Sequence, residues 1–106
     1  MKPKLIIPRQ LANQDVKQAV DYYLSEKAFE AATGFIDSLE QAYFHLGLFP
    51  ASGSLRYSHE LSLPGLRTWG LEQYPYLIFY IDRDNHIDVW RVLHSKRDIP
   101  ELMRTP

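Results

Sequence analysis

Tyr76-Leu77-Ile78-Phe79-Tyr80-Ile81-Asp82 is apolar at every position before its closing aspartate. Alternation along a strand sends Tyr76, Ile78 and Tyr80 to one face and Leu77, Phe79 and Ile81 to the other. A strand with one wet face would carry polar residues in one of these sets. This one is therefore expected to be central in its sheet and covered on both faces.

Working outward, Leu66 to Glu72 and Ile87 to Leu93 are rich in β-branched and aromatic residues and read as its neighbours. Arg83-Asp84-Asn85-His86 joins the last two strands as a hairpin, Pro64-Gly65 forms a turn, and Pro50 to Ser54 has the composition of a loop. Upstream, Ala12, Val16, Ala19, Val20, Tyr23 and Leu24 recur at helical spacing. A longer stripe follows in Phe29, Ala32, Ile36, Leu39, Tyr43 and Leu46, stopped by Gly47 and Pro50. Only a few residues around Ser25-Glu26-Lys27 separate the stripes, which predicts an antiparallel helical hairpin. Gly34 interrupts the second stripe, where a close approach to the neighbouring helix would explain it. Lys4 to Ile7, closed by Pro8, reads as a first strand near an edge, and the tail from Ser95 has room for one helical turn. The fold class is therefore α+β: an N-terminal strand and a helical hairpin packed on a mostly antiparallel sheet of about four strands.

The 106 residues suit one domain, expected to span 1–106, and 45% hydrophobic content suffices for a core. Absence of cysteine removes disulfides, thiol nucleophiles and thiolate-bound zinc. The longest apolar run, Tyr74 to Ile81, is far shorter than the roughly 20 residues a spanning helix needs, and the first residues lack a secretory apolar segment. A cytoplasmic location is expected. A net charge of −1 offers no global attraction to nucleic acid, but the helical half is acidic and the carboxyl end mildly basic.

No pair among His45, His59, His86 and His94 has the spacing of a helical metal site, so no metal and no cofactor are expected. Phosphate loops, nucleophile elbows and dinucleotide fingerprints are absent from the sequence. The most distinctive stretch is Arg91-Val92-Leu93-His94-Ser95-Lys96-Arg97-Asp98-Ile99, a buried-type strand ending in an imidazole and two cations. It suits an anion-binding or partner-binding edge. The pattern alone favours a local Arg97–Asp98 ion pair with His94 as a hydrogen-bonded strand terminator. Arg67 and Trp69 share one face of their strand and could contact a phosphate or a partner carboxylate, or else serve packing alone. Tyr22, Tyr23, Phe29, Phe35, Tyr43 and Phe44 have the spacing of core residues rather than of a base-stacking platform.

In order along the chain stand Val20-Asp21-Tyr22-Tyr23, Phe35-Ile36-Asp37-Ser38-Leu39-Glu40, Leu48-Phe49-Pro50-Ala51-Ser52-Gly53, Leu63-Pro64-Gly65-Leu66-Arg67, Tyr76 to Tyr80, and Arg91 to Ile99. In this combination the chain resembles the ParE/RelE superfamily of type II toxin–antitoxin toxins, and the resemblance implies a RelE/ParE-like fold. RelE-type members cut messenger on the ribosome with basic residues on the sheet and commonly a tyrosine near the carboxyl end. Here the position of an expected arginine falls on Tyr76, an expected basic residue falls near Leu71, and no tyrosine follows His94.

The depleted set resembles the ParE branch, whose members inhibit DNA gyrase by binding and are neutralised by a cognate antitoxin. The resemblance thus implies growth inhibition without chemistry of the chain's own, with no catalytic residues, no membrane contact and no sequence-specific nucleic-acid binding. Candidate target-binding residues are Arg67, Trp69, Arg91, His94, Lys96, Arg97 and Arg104. The alternatives are a ribosome-dependent endoribonuclease using His94, Arg67 and Arg91, or a non-toxic binding protein of the same fold.

Overall fold

The computed structural model describes residues 2–104. The elements run β1 (Leu5–Pro8), α1 (Gln10–Ser25), α2 (Phe29–Leu48), a single 3-10 turn (Pro50–Ser52), α3 (Arg56–Glu60), β2 (Leu66–Gly70), β3 (Tyr76–Asp82), β4 (His86–His94) and α4 (Ile99–Met103). One four-stranded sheet has the order β1-β4-β3-β2. β1 runs parallel to β4, while β4, β3 and β2 are mutually antiparallel.

β3 lies inside the sheet, and its two apolar faces enter two separate cores. Ile78 and Tyr80 pack with Ala12, Ala19, Phe35, Leu39 and Leu46 beneath the helical hairpin. Phe79 packs on the opposite face with Leu66, Leu93, Ile99 and Met103, closed over by Tyr57 of α3 and Leu102 of α4. Fully buried side chains such as Phe35, Leu46, Ile78 and Phe79 each contribute about 1.5–3 kcal/mol of transfer free energy.

The hairpin turns through Lys27, whose φ of 58° lies in the left-handed region and redirects the chain within two residues of the end of α1. Gly34 does permit a close approach, but to Tyr74 in the β2–β3 connection rather than to the neighbouring helix. A Cβ at this position would collide with the Tyr74 hydroxyl. Tyr74 then packs edge-on against Tyr23 and Phe35, so the missing side chain admits an aromatic cluster.

The sheet edges are blunted. On β1, the Lys4 N–H donates to Gly47 O, and Pro8 has no N–H to offer a further strand. On β2, Thr68 exchanges two backbone hydrogen bonds of 2.9 Å with Ser54. β2 ends at Gly70, two residues short of the expected Glu72, because Leu71 turns into the core. α3 occupies residues that carry no helical periodicity, since five residues present barely more than one turn.

Candidate functional site

The site grows from a gap in the sheet. β1 stops at Pro8, opposite Val89, so among the described residues the rest of β4 has no strand on that side. α1 fills the gap with Asp15. Its carboxylate accepts the Val92 N–H at 3.0 Å and two guanidinium bonds from Arg91, each 2.8 Å. Arg91 also donates to Leu102 O at 3.0 Å, which ties the carboxyl-terminal helix to the strand. The hydrogen bond from Asp15 raises the Arg91 pKa above its ordinary value against the opposing effect of burial.

β4 then ends in His94, whose ring meets Tyr76 edge-on at 5.2 Å. The Lys96 N–H donates to His94 Nδ1 at 3.1 Å, so a neutral ring carries its proton on Nε2. Beside this pair lies a groove of about 440 Å³, lined by Gln18, Tyr22, Tyr23, Tyr76, His94 and Arg97 among others. Burial pushes the Tyr76 hydroxyl pKa up, with Tyr22 adding to the effect and the Arg97 charge opposing it. The groove therefore presents phenol hydroxyls, an imidazole and a guanidinium. Such a surface can hold an anionic or carboxylate-bearing partner group by hydrogen bonds and ring contact.

Lys96 and Arg97 are exposed, and among the described residues neither has an acidic partner. Asp98 is not paired with Arg97. Its carboxylate caps α4 by accepting the Glu101 N–H, with Pro100 in the first turn.

The remaining candidates lie elsewhere. Arg67 donates to Ala51 O at 3.2 Å and Gly53 O at 2.8 Å, holding the 3-10 turn against β2. Trp69 stacks on His45 with ring centroids 4.6 Å apart. Both belong to the outer strand, separated from His94 by β3. Arg104 makes an exposed ion pair with Glu101. The structure thus brings together His94, Lys96 and Arg97, with Arg91 engaged behind them and Arg67 and Trp69 on the far strand. Among the described residues no group of three histidine, aspartate or glutamate side chains could hold a metal ion. No helix of the described residues is long and apolar enough to cross a membrane.

Two features of the site are absent from the candidate set. Asp15 sits at the centre of an apolar stripe with Ala12, Val16 and Ala19, and a carboxylate in that position signals a buried cation to be found. Tyr76 and Tyr22 line the groove, although their sequence setting is that of core residues.

No curated protein matches the sequence. A chain of the chromosomal ParDE TA system from P. aeruginosa superposes with a TM-score of 0.72 at 18% identity, over 88% of this chain and 97% of that one. At that identity the likeness establishes the fold. The family described as ParE toxin of type II toxin-antitoxin system, parDE, matches residues 6–99, which takes in the hairpin, all of the sheet but Leu5, and the turn into α4. The chain therefore belongs to the ParE toxin family of type II toxin–antitoxin systems.

Proposed function

We propose that this toxin inhibits DNA gyrase by docking onto it through the basic carboxyl-terminal edge, and that a cognate antitoxin neutralises it. The observation that carries this reading is the division of labour among the cations. Arg91 is engaged by Asp15 and Leu102 O, and Arg67 by two carbonyls, so neither is free to stabilise a phosphodiester transition state. Lys96 and Arg97 remain exposed beside His94 at one end of the sheet, a charged rim suited to recognition of a partner. Rim charges act mainly on association rate and salt dependence. The Lys96→Glu/Arg97→Glu variant should therefore inhibit gyrase supercoiling at least tenfold less than wild type, about 1.4 kcal/mol, while retaining its fold. Equal inhibition by the two proteins would remove this edge from the contact.

The aromatic groove beside His94 supports a second reading, a ribosome-dependent ribonuclease, because tyrosine rings and a guanidinium also suit a nucleotide. Codon-specific messenger cuts in translating extract, lost in His94→Ala, would favour it over docking. Normal growth on induction without the neighbouring gene would favour a non-toxic binding protein.

A further inference from the structure

Asp88 on β4 gathers two guanidiniums onto one carboxylate. Arg9, at the junction of β1 and α1, donates Nε and Nη2 to it, both at 3.0 Å. Arg83, in the turn between β3 and β4, donates Nε at 3.2 Å and Nη2 at 2.9 Å. The Trp90 indole adds a fifth bond at 3.1 Å. Oδ2 accepts four of the five, although a whole carboxylate offers only about four lone-pair sites. Asp88 is therefore saturated, and Nη1 of each arginine has no acceptor among the described residues.

Both forks are held in place. The Arg9 N–H donates to Val89 O at 2.8 Å and the Arg83 N–H to His86 O at 2.9 Å, which ties both backbones to β4. The Arg9 guanidinium lies over the Trp90 ring, with Cζ 4.3 Å from its centroid, and this contact restrains its plane. The two arginine side chains are 41% and 43% exposed against 11% for Asp88, so the carboxylate lies beneath while the unused donors reach water. Two positive charges over one negative leave the cluster with a positive surplus. Lys4 and Asp82 beside it cancel in an ion pair, and Asp84, exposed in the same turn, opposes the surplus only through screening solvent.

A surplus of charge and of N–H donors at one point calls for an anion with several acceptor oxygens. One fork satisfies a carboxylate, whereas a phosphate group brings at least three strong acceptor oxygens and up to about two negative charges, enough for both forks at once. We propose that Arg9 and Arg83, aligned by Asp88, form a binding site for a phosphate group. Free phosphate and a nucleic-acid backbone carry this same chemistry, and the test separates them. The site lies about 20 Å from His94 along β4, so it stands apart from the gyrase reading.

Inorganic phosphate is titrated into the isotope-labelled full chain at constant ionic strength, with NMR following the arginine Nε–H and tryptophan indole N–H signals. Those of Arg9, Arg83 and Trp90 should shift together and saturate, and acetate should move them little. Arg83→Lys keeps the charge without the fork and should weaken phosphate about tenfold, and Arg83→Gln should weaken it further. Both variants leave Asp88 paired with Arg9, and circular dichroism checks their fold. Lys96→Glu/Arg97→Glu should bind phosphate as wild type does. A short DNA duplex that shifts the same three signals, less so at higher salt, would identify a nucleic-acid backbone as the source, and a duplex without effect would identify free phosphate. The proposal would be overturned by the absence of a saturable shift with phosphate, by an equal response to acetate, or by unchanged binding in Arg83→Gln. Loss of phosphate binding in Lys96→Glu/Arg97→Glu would overturn it too, since the basic edge would then be the site.

Discussion

Asp15 and Arg91 form a two-pronged ion pair across 76 residues of sequence, with side chains only 8% and 14% exposed. The pair closes the open half of β4 against α1, and its third arm, Arg91 to Leu102 O, fixes the tail. One interaction therefore joins hairpin, sheet and carboxyl-terminal helix, and sets where His94 to Arg97 lie.

Removing one partner leaves an uncompensated buried charge, so Asp15→Ala and Arg91→Ala should each cost about 3–5 kcal/mol. Replacing both together, as Asp15→Leu/Arg91→Met, should cost less than the two single losses combined. Urea unfolding of the four proteins measures this cycle, and additive losses would mean that the pair does not act as a unit.

Tyr43 holds a buried hydroxyl with no partner among the described residues, and burial, with a smaller effect of Asp15, pushes its pKa up to about 12. Tyr43→Phe should stabilise the fold by about 1 kcal/mol at neutral pH, because an orphaned donor is removed without leaving a void. The folded pKa lies above the unfolded one, so the fold keeps this contribution below pH 10 and loses it as pH rises towards 12. Chemical melts across that interval should show wild-type stability falling more steeply than that of Tyr43→Phe.

Asp88 behaves in the opposite sense. Burial alone would raise its pKa, but hydrogen bonds from Arg9, Arg83 and Trp90 outweigh that and lower it from the ordinary 3.8. Its contribution is therefore present above that value and is lost as pH falls through the depressed folded value. Asp88→Asn should be less stable than wild type at neutral pH, with the difference shrinking in acid. A difference independent of pH would assign the effect to packing.

At Gly34, alanine would gain about 1 kcal/mol of helix propensity but collide with the Tyr74 Oη, with Cζ 3.2 Å from the new Cβ. Overpacking at this contact should outweigh the gain and leave Gly34→Ala less stable by about 1 kcal/mol. In a Tyr74→Phe background the nearest clash is gone, so the same substitution should be close to neutral. Thermal unfolding of the two pairs decides it.

Much of this fold is legible because its signals are long or two-sided. The α1 and α2 stripes run for several turns, and β3 is apolar on both faces, which requires a cover on each. The identity of the second cover is not legible. α3 spans Arg56–Glu60 and contributes one partly buried anchor, Tyr57, too little for any period to show. The register shift opposite Phe79 and Tyr80, which sets Trp90 out of pairing in β4, leaves no mark in composition either.

The site is only half legible. His94, Lys96 and Arg97 stand out as charges after a buried strand. Arg91 looks equivalent in sequence but is bound by Asp15, because whether a cation faces water or a carboxylate depends on a contact 76 residues away. Arg67 differs for a similar reason, since its partners are backbone carbonyls that any sequence supplies.

The proposed mode of action is docking of the basic edge onto gyrase. Its most direct test is a DNA cleavage assay with purified gyrase, supercoiled plasmid and ATP, read as linear DNA after protein digestion. Wild type should accumulate linear product in proportion to toxin added, and Lys96→Glu/Arg97→Glu should need at least tenfold more protein for the same amount. Unchanged gyrase activity at saturating wild-type toxin, together with cleaved messenger on clean ribosomes, would contradict the account.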